Sequence, residues 1–123
     1  MSNYKVLIVD DEQDILNIIE RFFNRKKLFE IEICNNPVVA LDIIKQGGIN
    51  VVLTDIMMPQ MNGVDLLKEI VNYDKNIKVI MMTAFSTLDK ILECEKIGAT
   101  DYVTKPFISL KDVENKVLDA LGI

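Results

Sequence analysis

The sequence predicts an open, doubly wound α/β protein built from five βα units, and three observations carry that prediction. Five short apolar runs, too short and too β-branched for helices, alternate with five segments of helical period. The runs are close to continuously apolar, which marks strands buried on both faces of a mainly parallel sheet with right-handed crossovers. A barrel needs eight such units, so five leave the sheet open. With 123 residues, 50% of them hydrophobic and 27% charged, the chain reads as one globular domain over residues 1–123. A chain of this size buries about two-thirds of its unfolded surface, enough to fold unaided.

Lys5-Val6-Leu7-Ile8-Val9 reads as the first strand. Ile15, Ile18, Ile19 and Phe22 then fall at helical spacing and give the first helix one apolar face. Ile31-Glu32-Ile33 alternates as a strand with one wetter face. Asn36 is placed to cap the second helix with Pro37 at its first position, Leu41 and Ile44 face inward, and Gly47-Gly48 stops it. Val51-Val52-Leu53 is a fully apolar third strand. Asn62-Gly63 opens a helix carrying Val64, Leu67 and Ile70, and Ile77 to Met81 forms the fourth strand. Ser86 is expected to cap the next helix, which presents Leu88, Ile91 and Leu92 inward and ends near Gly98. Asp101-Tyr102-Val103 is the fifth strand. Ser109, with Asp112 three residues on, resembles a capping box before Val113, Val117, Ala120 and Leu121.

Composition removes several classes of function. Fourteen basic against nineteen acidic residues leave a net charge of -5, and the longest basic run is Arg25-Lys26-Lys27, so no basic face for nucleic acid is expected. No stretch approaches the eighteen or so apolar residues of a membrane span, and Met1-Ser2-Asn3-Tyr4 lacks a signal-peptide core, so a cytoplasmic protein is expected. Cys34 and Cys94 belong to no Cys-x-x-Cys pair and read as buried thiols in a reducing compartment. With no His at all, the chain holds no zinc-histidine site, no His-based triad and no phosphohistidine of its own.

Polar residues fall just past the carboxyl ends of four strands: Asp10 and Asp11, Asp55, Thr83 and Lys105. In an open α/β sheet those ends are where ligands bind. For all of them to converge the strand order must be 2-1-3-4-5, a flavodoxin-like arrangement. Taken singly, each has a plainer role: Asp10 and Asp11 as helix caps, Asp55 as a turn residue, Thr83 as strand-end filler, Lys105 as a solvated charge. Together, three converging carboxylates repel one another unless a cation joins them. Oxygen donors without His or Cys point to a hard ion, and a few carboxylates with retained water suit Mg²⁺ better than Ca²⁺. Lys105 and Thr83 then offer a point charge and a hydroxyl to a phosphoryl group, and Asp55 a carboxylate nucleophile, giving an aspartyl phosphate.

Over nearly its whole length the sequence resembles the receiver domains of two-component response regulators. The resembling stretches are Val6 to Glu12, Asp55 to Gly63, Met82-Thr83-Ala84 and Gly98 to Phe107. The resemblance implies that Asp55 takes a phosphoryl group from a histidine kinase or phosphotransfer protein, and that Asp10, Asp11, Asp55 and the Met57 carbonyl hold Mg²⁺. It also implies a switch in which Thr83 moves toward the phosphoryl group and Tyr102 turns inward, reshaping the face of the fourth helix, fifth strand and fifth helix for an effector or a second copy. Tyr102 read alone is equally an aromatic filling a strand-edge gap. Lys105-Pro106 resembles the family's cis peptide, and Pro59 and Gly63 would shape the loop after the acceptor, as ordinary loop punctuation also would. Met57 and Phe85 resemble the two positions that tune phosphoryl lifetime; both are apolar, so slow spontaneous dephosphorylation is expected.

A flavodoxin-like flavin binder and a phosphatase compete with this reading. A flavin binder shares the architecture, but Asp10-Asp11-Glu12 repels a phosphate that lacks metal. A phosphatase of the haloacid dehalogenase type resembles a pattern with a second acid two residues past the nucleophile, where this chain has Met57. A receiver degenerated into an interaction module is a third alternative, against which the acceptor, acids, Thr83 and Lys105 are all present.

Overall fold

The computed structural model describes residues 4–25 and 27–123, with the side chains of Phe85, Ser86 and Leu88 also outside the description; Met1 to Asn3 and Lys26 are not described. The order is β1 (Lys5–Val9), α1 (Gln13–Asn24), β2 (Glu30–Cys34), α2 (Pro37–Lys45), β3 (Val51–Asp55), α3 (Gly63–Tyr73), β4 (Lys78–Ala84), a 3-10 segment (Phe85–Lys90), α4 (Ile91–Ile97), β5 (Asp101–Lys105) and α5 (Leu110–Leu121). All strand pairs are parallel, and the sheet order is β2-β1-β3-β4-β5, as convergence of the polar strand ends required. No helix among the described residues is long and apolar enough to cross a membrane.

Strand alternation sorts the core into two layers. Leu7, Val9, Val52, Val79 and Met81 face α2, α3 and α4, through Ala40, Ile44, Leu67, Ile70, Ile91 and Cys94. Val6, Ile8, Val51, Leu53, Ile80, Met82 and Val103 face α1 and α5, through Leu16, Ile19, Phe23, Val113 and Val117. Local chemistry ends the elements where expected. The Asn36 side chain accepts from the Val38 and Val39 amides with Pro37 behind it, Asn62 accepts from Asp65, and Ser109 from Asp112. Gly98 closes α4 with a positive φ. Cys34 and Cys94 are buried free thiols. Burial and the Glu93 charge push the Cys94 thiol up, against a smaller pull from Lys90.

Two helices differ from expectation. In α1 the fully buried stripe is Leu16, Ile19 and Phe23; Ile15 and Phe22 only flank that layer and Ile18 is 50% exposed. The helix carries two overlapping apolar arcs, and the sheet takes the one at i, i+3, i+7. The fourth helix starts at Ile91, later than a Ser86 cap implies, because β4 runs on to Ala84 and residues 85–90 wind as a 3-10 segment. From that start Ile91 and Cys94 face inward, which turns Leu92 outward to 69% exposure rather than into the core. On α5, Glu114 is buried and pairs with Lys111 at 2.9 Å.

Candidate functional site

The same alternation builds the site. Asp10 continues the parity of Val6 and Ile8, Asp55 that of Val51 and Leu53, and Lys105 that of Val103, so all three side chains leave the carboxyl edge on the α1–α5 face. Asp10 is wholly buried, Asp55 is 8% exposed, and every residue of β3 is buried. The Lys105 ammonium lies 2.5 Å from Asp10 Oδ2, 3.3 Å from Asp55 Oδ2 and 3.8 Å from Glu12 Oε1. The Lys105-Pro106 peptide is cis, as the resemblance implied.

Helix capping does not account for these acids. The N-cap of α1 is Glu12, with no side-chain cap bond; Asp10 accepts the Glu12 amide through Oδ1 alone, at 2.9 Å. Carboxylate oxygens of Asp10, Asp11, Glu12 and Asp55 lie within 4.8 Å of one another. Four carboxylates against one ammonium leave an excess of three negative charges. Burial raises the Asp55 carboxyl above its ordinary 3.8, with the Asp10 charge adding to it and Lys105 opposing. For Lys105, burial alone acts downward, but the Asp10 hydrogen bond and the Asp55 and Asp10 charges outweigh it and hold the amine above 10.5. A hard divalent cation fits this oxygen-only donor set.

Thr83 stands apart. It sits one position past Met82, the ladder partner of Asp55, at the parity of Val79 and Met81, hence toward α4. Its hydroxyl is buried and bonded to the Thr87 hydroxyl at 2.6 Å; among the described residues it has no bond to Asp55. Met57 is 58% exposed and, with Asp11, Met58 and Pro59, lines a hollow at the mouth of the site. Tyr102 is 38% exposed and borders a small hollow with Ile91, Cys94 and Glu95. The Phe85 side chain lies outside the described residues.

Two participants escaped the sequence reading, and a third was read without its packing role. Glu12 extends the acidic cluster, and its place beside Asp10-Asp11 was the available signal. Gly63, expected to shape the loop after the acceptor, donates its amide to the Ile56 carbonyl at 2.6 Å, and a Cβ there would lie 2.1 Å from the Asp55 carbonyl oxygen. Thr87 carried no signal at all. A groove of about 550 Å³ also borders the site, walled by Ile15, Ile18, Phe107 and Leu110 with Glu12 and Lys105 at one end.

The molecule is thus a flavodoxin-like α/β protein with an acidic, lysine-bridged corner at the carboxyl edge of its sheet. More specifically, the chain belongs to the response regulator receiver domain family, whose pattern matches residues 6–117. It is 38% identical over 107 residues to sporulation initiation phosphotransferase F of Bacillus subtilis, covering 87% of this chain and 86% of that protein. It is 32% identical to chemotaxis protein CheY-3 of Vibrio cholerae, covering 98% and 95%. Regulatory protein AtoC of Escherichia coli is 38% identical over 103 residues, and there the match spans 84% of this chain but 22% of the relative. Among solved structures, a response regulator receiver domain protein from Clostridium thermocellum superposes with a TM-score of 0.90 at 30% identity, covering 97% of this chain and 94% of the other. The chain is therefore a receiver domain of two-component signalling.

Proposed function

We propose that Asp55 is the phosphoacceptor of a single receiver domain spanning residues 1–123, loaded by a sensor histidine kinase or phosphotransfer protein in the cytoplasm. The observation that carries this reading is the Asp55 carboxylate, nearly buried, 3.3 Å from the Lys105 ammonium and inside a cluster of four acids. In the transfer, an Asp55 oxygen attacks phosphorus as the donor's P–N bond breaks; the imidazole nitrogen leaves with the electron pair and takes a proton from solvent. Asp10, Asp11, Asp55 and the Met57 carbonyl, with Glu12 alongside, would hold Mg²⁺, which would supply charge neutralisation to the phosphoryl oxygens. Lys105 adds a fixed positive charge on the same side, and Thr83 a hydroxyl once it turns toward Asp55.

The protein is not a turnover enzyme in this reading; it catalyses its own phosphorylation and dephosphorylation. The apolar groove beside the site supports docking of the donor along α1 and the β5–α5 connection. Exposed Leu92 and half-exposed Tyr102 support α4, β5 and α5 as the output face, for an effector or a second copy. Met57 and Phe85 retard hydrolysis, having no polar group to orient water. The test is incubation with acetyl phosphate and Mg²⁺, intact mass, and mapping of the modified residue. One phosphoryl group on Asp55, absent in Asp55→Asn, is the expected result; label elsewhere refutes the assignment.

A further inference from the structure

The Thr83 hydroxyl, which the reading above needs at the phosphoryl group, is fully engaged elsewhere. Four close contacts surround it and Thr87: Thr83 Oγ1 to Thr87 Oγ1 at 2.6 Å, Thr83 Oγ1 to the Ala84 carbonyl at 3.2 Å, Thr87 Oγ1 to that carbonyl at 3.1 Å, and the Ala84 amide to Thr87 Oγ1 at 3.1 Å. Each hydroxyl has one proton to donate. Either Thr83 donates to Thr87 and Thr87 to the carbonyl, or Thr87 donates to Thr83 and Thr83 to the carbonyl. In both patterns both protons are spent inside the β4–α4 connection. Thr83 is wholly buried and Thr87 4% exposed, so water does not compete for either hydroxyl. Thr83 also starts on the α4 side of the sheet, whereas Asp10, Asp55 and Lys105 leave from the other.

We propose that Thr87 is a positioning residue, a latch that holds the Thr83 hydroxyl on the α4 side and biases the resting protein against the arrangement that receives phosphoryl. This rests on Asp55 as acceptor and Thr83 as its hydroxyl donor. For Thr83 to reach a phosphoryl oxygen, the 2.6 Å bond must break. Thr87 then keeps only its bonds to the Ala84 amide and carbonyl, within the 3-10 segment that leads directly into α4. The latch therefore couples occupancy of Asp55 to the start of the helix that carries exposed Leu92. One hydroxyl pair of ordinary strength shifts such a two-state ratio about fivefold.

The test compares the initial rate of Asp55 loading by acetyl phosphate with Mg²⁺ in Thr87→Val, which keeps the branched shape and removes the hydroxyl, and in Thr87→Ser, which restores it. Loading about fivefold faster in Thr87→Val, return to the wild-type rate in Thr87→Ser, and loss of the difference in a Thr83→Ala background are expected. A wild-type or slower rate in folded Thr87→Val, or a gain that persists without the Thr83 hydroxyl, overturns the latch while leaving Asp55 as acceptor. Label mapped away from Asp55 in the wild type overturns both. If Thr87→Val does not fold, methyl NMR of the wild type with Mg²⁺ and beryllofluoride decides. The Thr83 and Thr87 signals should move together on saturation, and a Thr87 methyl that keeps its free position overturns the proposal.

Discussion

Replacing Gly63 by Ala sets two quantified effects against each other at the residue that holds α3 against the acceptor strand. Helix propensity alone makes Gly→Ala favourable by up to about 1 kcal/mol. The structure predicts the opposite sign. The added Cβ would lie 2.1 Å from the Asp55 carbonyl oxygen and 2.8 Å from Ile56 Cα, both backbone atoms that no rotamer change can move. Reaching even 3.0 Å from that oxygen requires a retreat of about 0.9 Å, and the same retreat stretches the 2.6 Å bond from the Gly63 amide to the Ile56 carbonyl toward 3.5 Å, the limit of a hydrogen bond. Overpacking of about 1–3 kcal/mol and a weakened bond of about 1 kcal/mol outweigh the helix-propensity gain of up to about 1 kcal/mol and leave a net loss of roughly 1–4 kcal/mol. For a chain of this size that lowers Tm by roughly 3–20 °C. Urea and thermal unfolding in chelator measure it. Gly48→Ala is the control: its φ is +91° with nothing within 4 Å of the added Cβ, so it carries left-handed strain of about 1–2 kcal/mol and no clash. Well below both melting points, Gly63→Ala should also load phosphoryl more slowly than Gly48→Ala, because the displaced backbone leads directly to Asp55 and Met57. A Gly63→Ala protein as stable as wild type, or more so, refutes the reasoning.

Four other outcomes are expected. Asp55→Asn stabilises the metal-free protein at neutral pH: the raised Asp55 carboxyl makes wild-type stability fall as pH rises from about 3.8 through its folded value, and urea titrations with chelator should lose that slope in the variant. Lys105→Met leaves the buried Asp10 and Asp55 carboxylates without their cation and costs about 3–5 kcal/mol in chelator; in the wild type the Lys105 contribution is full below 10.5 and is lost as pH climbs through the raised folded value. Ile18→Glu, on the half-exposed face of α1, slows transfer from the cognate kinase about tenfold or more while acetyl phosphate loading stays within twofold, measured side by side. Met57→Asn, adding one hydrogen-bonding group beside the acceptor, speeds decay of the phosphorylated protein roughly three- to tenfold, followed by intact mass after donor removal.

The sequence by itself determined the number and type of elements, the parallel sheet and the identity of Asp10, Asp11, Asp55 and Lys105. These follow from local periodicity, turn chemistry and the rule that open sheets bind at their carboxyl ends. Even the strand order was legible from requiring the polar ends of β1, β3, β4 and β5 to lie side by side, although the Thr83 side chain then leaves on the α4 face rather than into the acidic corner. The tertiary structure decided which of two apolar arcs of α1 is buried, where α4 starts and hence that Leu92 faces out. It alone brought Glu12 into the acidic cluster, set Gly63 against the acceptor backbone and paired Thr83 with Thr87. The physical reason is range. Periodicity and capping are interactions of a residue with neighbours a few positions away, and the chain encodes them in spacing. Which face wins, which Cβ has no room and which hydroxyl finds which partner depend on atoms brought close only when the sheet and its two helical layers pack together.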